Sequence, residues 1–250
     1  MTEPIPARHA ALDALRGFAV LWMTAFHFAF DLNHSGYIQQ NFYTDPFWTV
    51  QRTCIVGLFL FCAGFSQACA QAAGQSWRAF WRRWLQVAGC AVLVSAGSML
   101  MFPKSWIYFG VLHGIAAMLL VCRLSASWGR WLWLGALVAI GLGLSGARLH
   151  GVWPELGVLN GKVWNWIGLI SHKPITEDYV PLLPWLGMVW CGMATGQWLH
   201  RRGWMERLSL LPAPRALAWL GRWSLSWYML HQPVLIGLLL LFSTTQKLTA

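Results

Sequence analysis

Long apolar runs separated by short polar gaps set the architecture of this chain. Seven stretches, near residues 14–33, 50–73, 80–102, 107–123, 130–147, 181–200 and 223–243, approach membrane-spanning length. A helix rising 1.5 Å per residue needs roughly 20 apolar residues to cross about 30 Å of hydrocarbon. The pattern therefore predicts an all-α fold, a polytopic membrane helix bundle with about seven transmembrane helices. Residues 1–13 are expected to form a cytoplasmic N-terminal segment, 14–243 the membrane domain and 244–250 a short outer tail. No cleavable signal peptide precedes the first run, so that run is expected to remain as a signal anchor. The long gap at 148–180 carries Pro154, Pro174 and the partly apolar piece KVWNWIGLI. That piece is too short to span, and it could lie flat at the interface or fold over a site as a lid.

Composition strengthens the membrane reading. Hydrophobic residues make up 57% of the chain against 10% charged, with mean hydropathy +0.49. A soluble fold of this length could not hide so much apolar surface, and neither a disordered chain nor a disulfide-stapled module has this profile. The net charge of +10 sits in the gaps and forms no continuous basic face, so no nucleic-acid partner is expected. Taken by alternate sides of the seven runs, one set holds Arg8, Arg16, Arg78, Arg82, Arg83, Arg123, Arg130, Arg201, Arg202, Arg207, Arg215 and Arg222. The other holds Arg52, Lys104, Arg148, Lys162, Lys173 and Lys247. This two-to-one bias predicts the N-terminus inside and the C-terminus outside. The clusters WRAFWRRW and WGRWLW read as interfacial belts. All six cysteines fall in apolar segments with no metal-binding spacing, which reads as small buried thiols, and no metal is expected.

Ionisable groups inside apolar runs are costly and need a partner or a task. The first run is the densest, DALRGFAVLWMTAFHFAFDLNH. Asp13 and Arg16 stand three apart and can pair on one helix face. His27 lies about 16 Å beyond Arg16 along the axis, in the outer half of the bilayer, with Asp31 one turn further on the same face. Asp31 is therefore expected to orient the imidazole. His113 in the fourth run and His231 in the seventh are further intramembrane histidines. Asp178 and Tyr179 come just before the sixth run, where Pro181 and Pro184 should bend the start of the helix. His27, Asp31, His113 and Asp178 are thus expected near the outer ends of the first, fourth and sixth helices. A desolvated histidine beside a carboxylate suits general-base chemistry. Paired histidines could also ligate haem iron, and the same polar residues could line the path of a non-enzymatic transporter or flippase for a glycosidic or acylated small molecule.

The segments ALDALRGFAVLWMTAFHFAFDL, GLFLFCAGFS, IYFGVLHGIA, DYVPLLPWLGMVWCGMATG and GRWSLSWYMLHQPV, spread over nearly the whole chain, narrow these alternatives. Together they resemble a bacterial family of unknown function related to the catalytic domain of heparan-alpha-glucosaminide N-acetyltransferase. The resemblance implies a multi-pass acyltransferase of the bacterial inner membrane, with the lipid bilayer, acetyl-CoA and a glycan or sugar acceptor as partners. Acetyl would pass from cytosolic acetyl-CoA to that acceptor at the periplasmic face. Acetyl-CoA serves as donor, no metal or haem is expected, and a homodimer is compatible with the reading. In the wider transmembrane acyltransferase group the first helix carries an arginine and, after ten residues, a histidine, which Arg16 and His27 match. The resemblance thus implies His27 as catalytic base and Arg16 as a residue needed for activity, and the helical spacing adds Asp31 to orient the ring. His113, Asp178, Tyr179 and His231 are expected at the substrate, and Arg82 and Arg83 at the phosphates of CoA, which forked guanidiniums suit. The animal lysosomal enzyme places its catalytic histidine in the loop after helix one. This chain has Tyr43, Thr44 and Asp45 there, with His34 ahead of them, and the bacterial pattern selects His27.

Overall fold

The computed structural model describes residues 9–249. Nine α-helices account for most of them: α1 (Ala10–His34), α2 (Pro46–Ala72), α3 (Trp77–Met101), α4 (Val111–Leu124), α5 (Trp131–Val152), α6 (Leu182–Arg201), α7 (Met205–Leu210), α8 (Arg215–Arg222) and α9 (Ser224–Thr249). Each of the seven apolar runs is a helix, and α7 and α8 occupy the polar gap before the last. Four helices, α2, α3, α5 and α9, are long and apolar enough to cross a membrane. α1 and α6 have the length but a more polar composition, and α4 is apolar with only 14 residues.

Helix ends depart from the hydropathy boundaries for local reasons. α1 begins at Ala10, because Asp13 lies in its first turn, where a carboxylate favours the helix dipole, and pairs with Arg16. The expected N-terminal segment therefore gives up residues 10–13 to the helix, while residues 1–8, with Arg8, lie outside the described residues. At the other end α9 runs on through Thr249, so 244–249 are helix and not a separate tail. No glycine or proline stops it there. The hydroxyls of Ser243, Thr244 and Thr245 hydrogen-bond back to Leu240 and Phe242 carbonyls within the helix. α2 starts at Pro46, with Asp45 Oδ1 accepting from Phe47 N–H at 2.9 Å. The bend expected at the start of α6 is present: Leu183 is extended (φ −101°, ψ 135°) between Pro181 and the helix proper.

The chain divides into two compact units. One takes Leu60–Leu208, and the other combines the described residues before Leu60 with those from Ser209 onward. In the second unit α1 packs on α8 and α9. Phe42 folds the loop after α1 back onto it, stacked on Trp48 at 4.0 Å and edge-on to Phe26 and Phe30. In the first unit α5 lies on α6, and α4 contacts α3 and α6.

Both units use reciprocal glycines to bring backbones together. A Cβ on Gly17 would sit 1.9 Å from the Leu217 carbonyl oxygen, and one on Gly221 would sit 1.8 Å from that of Asp13. Gly64 meets the Val189 carbonyl and Gly192 the Phe61 carbonyl in the same way, at 1.9 and 2.0 Å. Lipid tails are as apolar as leucine, so helices in a bilayer gain more from close packing than from withdrawing apolar surface. Small residues permit it. Gly221→Ala is expected to destabilise the protein in detergent by about 1–3 kcal/mol, the usual cost of overpacking. Gly237→Ala, in open space on α9, should not. Thermal unfolding midpoints of the two variants check this.

Candidate functional site

The first polar cluster lies on α1 and α9, within one unit. Asp31 is buried at 7% exposure, and its Oδ1 accepts from Gln232 Nε2 at 2.8 Å. The expected link from Asp31 to His27 is replaced by this interhelical bond. The amide offers two donors to a carboxylate, and a neutral imidazole offers one at most. His27 instead meets a second histidine: its ring stands 5.1 Å from that of His231, at 61°. His231 Nδ1 lies 2.8 Å from the Tyr228 carbonyl oxygen. A carbonyl only accepts, so Nδ1 carries the proton and neutral His231 presents a bare Nε2 lone pair.

That Nε2 is buried without a partner, and so are Asp31 Oδ2 and Gln232 Oε1. Buried polar atoms usually find a partner in protein or ordered water, and a cluster of unmet ones needs an explanation. With Asp31 ionised all three are acceptors, so what would satisfy them carries N–H or O–H groups. Pro233 follows directly and lacks the N–H that an uninterrupted helix would offer to the Met229 carbonyl. Trp227 Nε1 ties α9 to α1 through Thr24 Oγ1 at 2.8 Å.

The second cluster belongs to the other unit, where the segment before α6 meets the segment before α4. Asp178 Oδ2 accepts from Val111 N–H, the first residue of α4, at 2.7 Å. A Cβ on Gly110 would collide with that carboxylate, so glycine is needed there. Val180 N–H donates to the Phe109 carbonyl, Glu177 N–H to that of Ser105 and Thr176 Oγ1 to that of Trp106. This pairing explains why α4 starts at Val111, four residues later than the apolar run predicts.

It also moves His113 into the first turn of α4. There Nδ1 accepts from Gly110 N–H at 3.3 Å and Nε2 donates to Ser95 Oγ at 3.1 Å, whose own proton goes to the Ile107 carbonyl. Both nitrogens of His113 are thus engaged by its own chain. Tyr179 donates to the Asn165 carbonyl at 2.6 Å, and Asn165 Nδ2 donates to Tyr108 Oη at 2.8 Å. Burial, and then the neighbouring Tyr108, push the Tyr179 phenol above its ordinary value, so it stays protonated as a donor. Asn165, in the piece expected to form an interfacial helix or lid, is 1% exposed in a single 3₁₀ turn, with its Oδ1 unpartnered.

Arg16 is half-buried and engaged, with Nη1 donating to Asp13 Oδ1 at 2.9 Å and to the Gly221 carbonyl at 3.3 Å. Arg82 and Arg83 are exposed in the second turn of α3, Arg83 donating to Gln86 Oε1 at 3.0 Å. Among the described residues no three His, Cys, Asp or Glu side chains are grouped to hold a metal ion. None of the six cysteines is in a disulfide; Cys62 and Cys122 are buried as expected, and Cys54 is exposed where a buried thiol was expected. Gln232, Tyr228 and Asn165 were not singled out in the sequence. The signal for Gln232 was present, since an uncharged amide next to a histidine in an apolar run is itself costly.

Long apolar helices that carry buried polar side chains define a membrane-type helical domain. The family described as heparan-alpha-glucosaminide N-acetyltransferase, catalytic, matches residues 8–233, and the chain belongs to that family. No curated protein and no solved structure matches it.

Asp178→Ala is expected to lower thermal stability by about 1–2 kcal/mol, the loss of an N-terminal helix cap. Asp178→Asn should cost less, because its amide oxygen still accepts from Val111 N–H. Unfolding midpoints in detergent decide this, and an unchanged alanine variant would remove Asp178 from the capping role.

Proposed function

We propose that the protein is a polytopic acetyltransferase of the bacterial inner membrane, with seven spans and a cytoplasmic N-terminus. It would take acetyl from cytosolic acetyl-CoA and deliver it to a hydroxyl or amine of a sugar at the periplasmic face. The observation that supports this most directly is the buried, unpartnered Nε2 of His231 beside His27, in a chain of an acetyltransferase family.

In this reading an imidazole of the His27/His231 pair removes the proton from the acceptor hydroxyl or amine as it attacks the thioester carbon. The tetrahedral intermediate collapses with cleavage of the C–S bond. The CoA thiolate leaves, and the histidinium returns the proton to it. Asp31 Oδ2 and Gln232 Oε1 accept from neighbouring hydroxyls of the acceptor and so fix its orientation. The role of Asp31 is then to hold the acceptor, with Gln232 bound to its other oxygen. Arg82 and Arg83 are assigned to the CoA phosphates and Arg16 to holding the inner end of α1. His113, Asp178 and Tyr179 support the substrate side by fixing the loops before α4 and α6.

The test is transfer of labelled acetyl from acetyl-CoA to sugar acceptors by purified protein in liposomes. His27→Ala and His231→Ala should each lower the rate by about 10²-fold or more at unchanged yield. Asp31→Asn should lower it less, and His34→Ala should leave it near wild type. Full activity in both His27→Ala and His231→Ala would overturn the site. Acceptor uptake into vesicles without any acetyl transfer would favour a transporter instead.

A further inference from the structure

A groove of about 410 Å³ runs between α5 and α6, lined almost wholly by carbon. Its floor is Gly135 against the Trp190 ring, where a Cβ on the glycine would come within 3.2 Å of the indole. Trp190 is held in place by its Nε1 bond to Ser125 Oγ at 2.8 Å. One end lies between Trp128 and Trp131, the other at Leu142 and Leu183. Just beyond, Gly143 abuts the backbone of Pro184, and the two helices close together. The side chains along one wall are half-exposed, Leu134 at 53% and Val138 at 50%.

Length discriminates among occupants. Trp131 to Leu142 is eleven residues, about 16 Å of helix, or roughly half the 30 Å hydrocarbon core. A partner helix crossing the bilayer would need a seam twice as long, whereas an acyl chain reaches through one leaflet only. Charge discriminates further. The tryptophan end carries two exposed guanidiniums, Arg130, whose Cζ lies 5.4 Å over the Trp131 ring, and Arg201, whose Nη1 comes within 3.7 Å of the Cβ position of Gly129. Neither makes an ion pair with a carboxylate among the described residues.

We propose that this groove is a binding site for an anionic glycerophospholipid, one acyl chain lying between α5 and α6 and the phosphate between Arg130 and Arg201. The headgroup end carries Trp128 and Trp131, the residue type enriched at the depth of lipid headgroups. The groove shares no residue with the His27 and His231 cluster, and the proposal does not depend on the acyl-transfer reading.

Native mass spectrometry of the purified full chain, titrated in parallel with phosphatidylglycerol and phosphatidylcholine of the same acyl chains, tests it. Wild type should hold phosphatidylglycerol more tightly. Replacing both arginines, Arg130→Ala with Arg201→Ala, should erase that preference, a loss of about 30-fold at the energy expected for two surface cations. Val138→Trp, a filling change at a half-exposed wall position that spares the buried floor, should weaken both lipids. Equal binding of the two lipids by wild type, or a preference that survives the arginine replacements, would overturn the proposal. So would a protein dimer that Val138→Trp dissociates, since the groove would then hold a second copy.

Discussion

A carboxylate shut away from water in a bundle of apolar helices must be met by a donor from its own chain, and here that obligation falls on Asp31. Its answer is Gln232, on a helix 201 residues further along. The bond fixes α9 against α1 in rotation and in height. With α9 so placed, His231, whose Nδ1 donates to the Tyr228 carbonyl within α9, comes beside His27. Hydrogen bonds between membrane helices are each modest, about 0.6–2 kcal/mol. The specificity they give is larger than their energy, because rotating α9 would strand Asp31 without any donor.

The reciprocal glycines supply the energy that such polar bonds do not. Two helices whose carbonyls lie against each other's Cα atoms gain dispersion contacts along the whole crossing, with weak Cα–H···O contacts in addition. α1 and α8 meet in this way at Gly17 and Gly221, and α2 and α6 at Gly64 and Gly192. α8 has eight residues and could not span a bilayer, yet through Gly221 it holds the N-terminal part of α1 and offers a carbonyl to Arg16. Arg16 is thereby tied to both helices, to Asp13 on α1 and to the Gly221 carbonyl on α8.

The helices α1 to α6 and α9 were legible, because each lies in an apolar run bounded by arginine, proline or a polar loop. Their ends were less so. Hydropathy cannot see that Asp13 suits a first turn, or that Ser243 to Thr245 return their hydroxyls to the helix. The late start of α4 depends on Asp178 and on the pairing of 105–109 with 176–180, contacts about 70 residues apart that no local pattern records. In the site, His27, Asp31 and His231 were visible as polar residues in apolar runs. Their partners were not, since i,i+4 spacing on α1 pointed Asp31 at His27, while the stronger donor lay on another helix. The glycine pairs left a trace in the sequence as small residues in apolar runs, but nothing local tells such a glycine from Gly237, which faces open space.

His113 and His231 differ in what their surroundings leave unmet. Both lie in apolar helices, and both have a tautomer fixed by the backbone. At His113 the Gly110 N–H takes the Nδ1 lone pair and Ser95 takes the Nε2 proton, so neither nitrogen is left for a ligand. At His231 the carbonyl of Tyr228 takes the proton on Nδ1 and leaves Nε2 as an unmet base. Leaving a buried acceptor unmet costs about 1–3 kcal/mol, whereas a serine hydroxyl in reach, as at His113, would have removed that cost. The fold thus satisfies one histidine fully and leaves the other with an unmet acceptor beside a second imidazole.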